Sequence, residues 1–161
     1  MIRKCGQALI RLFLRSGKEP GAEAELVPSS FGNRKSKIVN RKSKELLGRW
    51  GEKRCEKFLK RKGLKTLTRN FSCKTGEIDL IMVDSDGTLV FIEVKTRATE
   101  DFSPSESAVT KAKKTRMLRT TRYFLAVNDI ENRPFRFDVV TIVLGEKGPA
   151  QIRHYENAFV P

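Results

Sequence analysis

The sequence predicts one α/β domain, with elements in the order α, β, β, β, α, β, β, behind a basic N-terminal extension. Two segments carry apolar residues at helical spacing, five shorter segments have strand-like composition between turn residues, and the composition changes near residue 44. At roughly 100 to 200 residues per domain, a chain of 161 residues holds one globular unit and an appendage. A content of 39% hydrophobic and 32% charged residues excludes a fully disordered chain.

The extension, residues 1–44, carries 11 basic and 3 acidic residues, which is more than half of the excess positive charge of the chain. The sequence Asn-Arg-Lys-Ser-Lys occurs in it twice, at residues 33–37 and 40–44, with almost nothing apolar to bury. We therefore predict a disordered basic arm at 1–44 and a folded domain at 45–161. The arm is either a tether for nucleic acid or a dispensable segment, and the sequence leaves both interpretations open.

The first helix is predicted from residue 43 onward, and Gly63 stands where a helix C-cap belongs. Its apolar positions recur at helical spacing and are Leu46, Leu47, Trp50, Cys55, Phe58 and Leu59. A first strand is expected at residues 64–71. A hairpin follows, with strands at 77–83 and 88–95 joined by the turn at 84–87.

The second half of the domain predicts one helix and two strands. Pro104 and Ser105 open a helical stretch that extends to about Val127, although its apolar period is less regular than that of the first helix. Residues 135–144 and 151–155 have the composition of strands. These elements complete the α/β order of the domain.

The chain is strongly cationic, with a formal net charge of +14. A field of that sign attracts polyanions or anionic membrane surfaces. No stretch approaches the roughly 20 apolar residues that a membrane-spanning helix requires, and the N-terminus is a poor signal peptide. We therefore expect a soluble, cytoplasmic protein that does not bind membranes.

Cysteine and histidine chemistry is limited by the small number of these residues. Cys5, Cys55 and Cys73 are odd in number and lack C-x-x-C spacing, so they predict neither a disulfide framework nor a zinc site. His154 is the single histidine, and it is expected to be a surface or packing residue because no matching Ser or Cys motif accompanies it. Carboxylates and lysines are therefore the expected reactive groups.

Two acidic residues lie where aliphatic residues would be expected in the hairpin. Asp79 and Glu93 each have aliphatic neighbours on both sides, and burying an unpaired carboxylate is costly. If Asp84 pairs with Thr88, the two residue numbers of each pair in the hairpin sum to 172. Asp79 then lies opposite Glu93. Facing Cβ atoms are then about 4.5 to 5.5 Å apart, which allows two carboxylates to share a divalent cation.

The pattern is that of a magnesium site for phosphodiester hydrolysis. Asp79, Glu93 and the main-chain carbonyl of Val94 are the predicted ligands, because Mg²⁺ prefers oxygen ligands and keeps several waters. Lys95 shares the strand face of Glu93 and would orient the nucleophile and neutralise phosphate charge. Glu52 on the first helix is a candidate for an outer ligand or for holding water.

The same residues are also compatible with a structure that has no metal. A solvent-exposed strand face with a cross-strand Glu and Lys pair would carry the same pattern. A change of one residue in the loop register would place Asp79 and Glu93 on opposite faces of the sheet. Glu52, taken alone, also fits a solvated helix residue.

A set of motifs occurs in an order that resembles the YraN family of bacterial proteins. The resemblance covers about residues 45–160 and ends in Asn157, Ala158 and Phe159. The motifs are LGRWGE at 47–52, NF at 70–71, GEIDLI at 76–81, FIEVKTR at 91–97, VTKAK at 109–113 and RFDVV at 136–140. This family is similar to the restriction-endonuclease-like superfamily, especially to archaeal Holliday-junction resolvases.

The resemblance implies a restriction-endonuclease-like core with a mixed β-sheet flanked by helices. Within a PD-(D/E)-x-K pattern it implies Asp79 and Glu93 as metal ligands, Lys95 as the catalytic lysine and Glu52 as the acid of the first helix. Mg²⁺, with Mn²⁺ as a substitute, is the implied cofactor. The implied activity is hydrolysis of branched DNA, and a homodimer is implied because related resolvases are symmetric dimers.

Further basic residues are expected to contact the nucleic-acid backbone. They are Arg97 on the third strand and Lys111, Lys113 and Lys114 on the second helix. Such contacts weaken steeply with salt, whereas a solvated basic face is the alternative for each residue. At the level of function, the alternatives are a non-catalytic nucleic-acid-binding module that keeps the nuclease fold and an interaction scaffold whose charge serves solubility.

Overall fold

A computed structural model of the chain describes residues 41–97, 110–144 and 149–160. Seven elements follow in the predicted order of one helix, three strands, one helix and two strands. They are α1 (Arg41–Arg61), β1 (Lys65–Cys73), β2 (Gly76–Val83), β3 (Leu89–Arg97), α2 (Lys111–Val127), β4 (Phe135–Val143) and β5 (Gln151–Phe159).

The five strands form one mixed sheet in the order β1-β2-β3-β4-β5. The strands β3 and β4 pair in parallel, and the other neighbours pair antiparallel. Parallel strands need a crossover connection, and α2 lies in the connection from β3 to β4. The predicted class, an α/β fold with a mixed sheet flanked by helices, is confirmed.

The two helices of the described residues cover opposite faces of the sheet. Cys55 and Leu59 of α1 are fully buried in one apolar cluster with residues of the central strands. Met117 and Phe124 of α2 are fully buried in a second cluster on the opposite face. The domain therefore has three layers, and the central strands have apolar residues on both faces, as expected for a sheet buried on both sides.

The predicted end of the first helix is confirmed at Gly63, which has a φ of +94°. The N–H of Leu64 donates to the carbonyl of Leu59, and the N–H of Gly63 donates to the carbonyl of Lys60, which is the Schellman pattern. Leu64 and Leu59 also pack in the same apolar cluster. Glycine fits here because a side chain is strained at positive φ.

The start of α1 differs from the sequence prediction. The helix begins at Arg41, so residues 41–44, which were assigned to the disordered extension, are helical. The rest of the predicted arm, residues 1–40, lies outside the described residues. Leu46 was expected on the apolar stripe but is 59% exposed, whereas the next residue, Leu47, is partly buried.

The start of α2 also differs. Thr110 has extended backbone angles (φ −56°, ψ 151°), and its hydroxyl accepts a hydrogen bond from the N–H of Lys113. This is an N-cap, so α2 begins at Lys111, whereas the predicted helix opened at Pro104 and Ser105. Those two residues lie outside the described residues.

Both edge strands of the sheet are irregular. In β1 the register shifts between Thr66 and Thr68, and Asn70 has a φ of +49°. The register of β4 against β5 shifts between Phe137 and Val139, and Asn157 in β5 also has a φ of +49°. The strand β5 extends to Phe159, four residues beyond the predicted end at residue 155.

Among the described residues, no helix is both long enough and apolar enough to cross a membrane.

The register of the β2–β3 hairpin is the one expected from the sequence. The N–H of Asp84 donates to the carbonyl of Thr88 over 3.1 Å, and Gly87 has a φ of +89°. Four residue pairs are formed, from Leu80 with Ile92 to Val83 with Leu89, and the two residue numbers of each pair sum to 172. Asp79 and Glu93 therefore follow directly after the last regular pair, on neighbouring strands.

Candidate active site

A cleft of about 670 Å³ opens where β2 begins and β3 ends, between the N-terminal half of α1 and the first turn of α2. Its walls carry both signs of charge. The residues that line it are Lys44, Leu47, Gly48, Glu52, Glu77, Asp79, Glu93, Val94, Lys95, Thr96, Arg97 and Lys113. The cleft therefore brings together residues of α1, β2, β3 and α2.

Asp79 and Glu93 face this cleft from adjacent strands. The regular ladder ends at Leu80 and Ile92, and the N–H of Val94 donates over 2.7 Å to Oδ2 of Asp79. Oε2 of Glu93 lies 2.9 Å from Nζ of Lys113, at the start of α2. That oxygen is buried and has no partner with hydrogen-bond geometry, so the contact with Lys113 is an ion pair only.

The orientation of Asp79 depends on an irregularity in β1 and β2. Side chains of a regular strand alternate between faces, yet Ile78 packs on the α2 side and Leu80 packs on the α1 side. The alternation therefore changes phase at Asp79. Asn70, at the position of β1 opposite Asp79, has a φ of +49° and interrupts the regular pairing there.

Glu52 reaches the cleft because α1 lies very close to β3. A Cβ atom on Gly51 would lie 1.8 Å from Oγ1 of Thr96, so only glycine allows this approach. Glu52 is the next residue, and its carboxylate accepts a hydrogen bond from the side chain of Asn70. Asn70 therefore interrupts the strand pairing opposite Asp79 and also orients the carboxylate of Glu52.

Two carboxylic acids of the cleft, Asp79 and Glu52, have raised pKa values. Burial, followed by the charge of Glu93, raises the pKa of Asp79 to about 7, against the hydrogen bond from Val94 and the charge of Lys113. Burial also raises the pKa of Glu52, and the charge of Glu77 acts in the same direction. Burial raises the pKa of the Cys55 thiol, which therefore remains protonated. Ionising Asp79 and Glu52 in the folded protein therefore costs free energy.

Most of the residues predicted from the sequence line the same cleft. Glu52, Asp79, Glu93, Val94, Lys95, Arg97 and Lys113 all do so. Two residues that were predicted to contact nucleic acid, Lys111 and Lys114, do not line the cleft. Lys111 is exposed on the first turn of α2, and Nζ of Lys114 lies 5.3 Å from the centroid of the Phe159 ring.

Sequence reasoning missed several residues of the cleft. Strand alternation does not explain the position of Glu77, because the alternation of β2 changes phase at Asp79. Asn70 carried a weak signal, because Asn is enriched among residues with positive φ. Thr96 and Gly51 carried no signal, because their close contact depends on the packing of α1 against β3.

His154 is a packing residue, as expected. Its side chain is 3% exposed, and Nε2 lies 2.9 Å from Oδ2 of the fully buried Asp138. Nδ1 lies 3.0 Å from Nζ of Lys62. Asp138 also accepts hydrogen bonds from Arg136 and from the N–H of Asn157. None of these residues lines the cleft.

The oxygen atoms of the cleft suit a hard divalent cation. No group of three or more His, Cys, Asp and Glu side chains positioned for a metal occurs within residues 41–97, 110–144 and 149–160. Mg²⁺ is usually held by only one or two carboxylates with several waters. The buried Oε2 of Glu93, which lacks a hydrogen bond, is compatible with such a ligand.

Sequence comparisons place relatives over most of this domain. The model of a family described as "Uncharacterised protein family UPF0102" matches residues 51–142. A UPF0102 protein of Pelotomaculum thermopropionicum is 35% identical over 118 residues, which are 73% of this chain and 98% of that protein. A UPF0102 protein of Cupriavidus taiwanensis is 39% identical over 126 residues, which are 78% of this chain and 92% of the relative.

The comparison with solved structures gives two matches at low identity. Pyrococcus furiosus SfsA in complex with Ca²⁺ is 12% identical, with a TM-score of 0.35 over 70% of this chain and 63% of that chain. The EndoMS–dsDNA2 complex is 16% identical, with a TM-score of 0.33 over 72% of this chain and 51% of that chain.

Proposed function

The chain belongs to the uncharacterised protein family UPF0102, and we propose that it is a metal-dependent nuclease that hydrolyses phosphodiester bonds of branched DNA. The observation that carries this proposal is the position of Asp79 and Glu93. They extend from neighbouring strands into one cleft that also contains Lys95 and Lys113. The resemblance to Holliday-junction resolvases supports branched DNA as the substrate.

The electrostatics of the cleft support a bound cation. Asp79 is desolvated and lies close enough to Glu93 for its pKa to rise to about 7. A divalent ion would offset both the desolvation and the mutual repulsion. Asp79, Glu93 and the carbonyl of Val94 would hold Mg²⁺, which supplies an activated water and polarises the phosphate.

The remaining groups have roles that follow from their position. Lys95 lies two residues after Glu93 on the same strand face, and its ammonium would orient the attacking water and neutralise phosphate charge. Glu52 would hold water at the α1 side of the cleft. Arg97 lines the same cleft, where its guanidinium would contact the DNA backbone.

The charge of the chain supports DNA as the ligand. A formal net charge of +14 attracts polyanions, and Lys44, Lys95, Arg97 and Lys113 all line the acidic cleft. A cleft that combines carboxylates with cationic side chains suits a phosphodiester that approaches a metal ion. Binding to it should weaken steeply with salt.

Cleavage of a four-way junction and of a linear duplex, with Mg²⁺ or Mn²⁺, tests the proposal. We expect the wild type to cut the junction, and Asp79→Asn and Glu93→Gln each to lose at least about a hundredfold in rate. Glu131→Gln, which changes an exposed loop carboxylate, is the matched control. Thermal unfolding verifies that each variant is folded. A wild type that cuts no better than Asp79→Asn would overturn the enzymatic proposal.

The second candidate is a nucleic-acid-binding module without catalysis. The ion pair of Lys113 with Glu93 supports it, because the ammonium already compensates the charge of one carboxylate. In this case the wild type would bind the junction in EDTA as tightly as in Mg²⁺ and would give no product with either metal. Tighter binding with a divalent ion, together with product, would favour the nuclease.

A further inference from the structure

A second, smaller pocket lies beside the cleft, between the β1–β2 turn and α2. It has a volume of about 290 Å³. The residues that line it are Ser72, Cys73, Gly76, Glu77, Lys113 and Arg116. Gly76 allows the turn to approach α2, since a Cβ atom there would lie 3.0 Å from Oγ1 of Thr120.

The pocket and the cleft share a wall. Lys113 and Glu77 line both cavities. The Lys113 ammonium is paired with Glu93 on the cleft side, and Glu77 contributes to the raised pKa of Glu52, which is also a cleft residue. A ligand in the pocket would therefore lie next to the proposed reaction centre.

The pocket offers donors and positive charge to an anion. Arg116 is exposed on α2, where a guanidinium can bind two phosphate oxygens. In the turn, Oγ1 of Thr75 lies 3.0 Å from Sγ of Cys73. Burial opposes it, but hydrogen bonds from the Thr75 hydroxyl and from the main chain of Thr75 and Gly76 lower the pKa of the Cys73 thiol. These are donors that stabilise negative charge.

We propose that this pocket is a second phosphate subsite, in which Arg116 and Lys113 bind the phosphodiester group next to the one in the acidic cleft. The inference rests on the proposed function, because it requires a nucleic-acid strand in the cleft. Successive phosphates of one strand are about 3.4 Å apart along the helix axis, so neighbouring groups can occupy adjoining cavities. The cation shared by both cavities is Lys113.

Binding of a fluorescent four-way junction, measured by anisotropy with Ca²⁺ in place of Mg²⁺, tests the subsite. We expect Arg116→Met to weaken binding about tenfold, the loss of one charge-assisted contact. Arg119→Met is the matched control, because Arg119 is exposed on the same helix and does not line the pocket. Arg116→Lys should recover part of the affinity. Equal losses for Arg116→Met and Arg119→Met would overturn the subsite.

A set of junctions with single neutral methylphosphonates makes the test specific for phosphate. At one position the modification should weaken binding of the wild type and have a clearly smaller effect on Arg116→Met, in which only Lys113 still contacts that phosphate. Additive losses at every position would overturn the subsite, even if the wild type cuts DNA. A wild type that binds no DNA would overturn both proposals. If one methylphosphonate position behaves as expected for the subsite but the wild type gives no cleavage product, only the nuclease proposal is overturned.

Discussion

Nζ of Lys113 lies 2.9 Å from Oε2 of Glu93, so α2 supplies an ammonium to one of the two carboxylates that are proposed to hold the metal. Both side chains are largely shielded from solvent, with exposures of 24% and 12%. A divalent ion and Lys113 would compete for the same oxygen. The pair therefore compensates the charge of Glu93 and would weaken binding of the proposed metal.

Replacing Lys113 separates these two effects. We expect Lys113→Met to tighten Ca²⁺ binding to the DNA-free protein about tenfold, because the ion no longer displaces an ammonium. The same change should lower the metal-free unfolding free energy by about 1 to 3 kcal/mol, because Glu93 is left without its partner. Titration calorimetry and denaturant unfolding in EDTA measure the two quantities. Lys111→Met is the control on the same helix turn, and weaker Ca²⁺ binding by Lys113→Met would contradict the prediction.

The pKa of Asp79 predicts a pH-dependent stability. The native pKa is about 7 against an ordinary 3.8, so the folded state keeps a proton that the unfolded state loses between these values. This contribution to stability is complete below pH 4 and is lost as the pH rises through 7. Asp79→Asn cannot ionise and should gain stability over the wild type across that range, by at most about 4 kcal/mol.

Urea unfolding in EDTA at pH 4 and pH 8 measures this difference. We expect the gain of Asp79→Asn to be large at pH 8 and small at pH 4, and to shrink at pH 8 when Mg²⁺ is added, since the ion stabilises the wild-type carboxylate. A gain that is equal at both pH values would show that ionisation of Asp79 is not its cause.

Two glycines of α1 provide a matched pair. Gly51→Ala should lower the unfolding free energy by about 1 to 3 kcal/mol, because the new methyl group overlaps Thr96. Gly48→Ala has no atom within 4 Å of its new methyl group and should stabilise the helix by up to about 1 kcal/mol. Thr96→Ala should rescue Gly51→Ala. Equal effects of the two glycine substitutions would show that α1 can shift without cost.

His154 should matter for stability and not for activity. His154→Ala removes a partner of the buried Asp138, so we expect a loss of about 1 to 3 kcal/mol in unfolding free energy. Junction binding and cleavage at a temperature where the variant is folded should match the wild type, because His154 does not line the cleft. A cleavage defect in the folded variant would give His154 a role in the chemistry.

The hairpin could be predicted because its register follows from local features. The turn ending in Gly87 sets which residues pair, and this register brings Asp79 next to Glu93 on the neighbouring strand. The approach of α1 to β3 through Gly51 and the change of phase at Asp79 could not be predicted, because both depend on contacts between distant segments. The predicted start of α2 was wrong because Thr110 was not recognised from the sequence as an N-cap.

The irregular edge strands bear on how two copies of this chain could associate. Flat, regular edges are templates for pairing with another strand, whereas bulges and twisted residues block such pairing. Both outer strands have a shifted register and an asparagine with positive φ, Asn70 in β1 and Asn157 in β5. A sheet continued from one subunit into the next is therefore disfavoured. The homodimer that the family resemblance predicts would have to bury helical or loop surface.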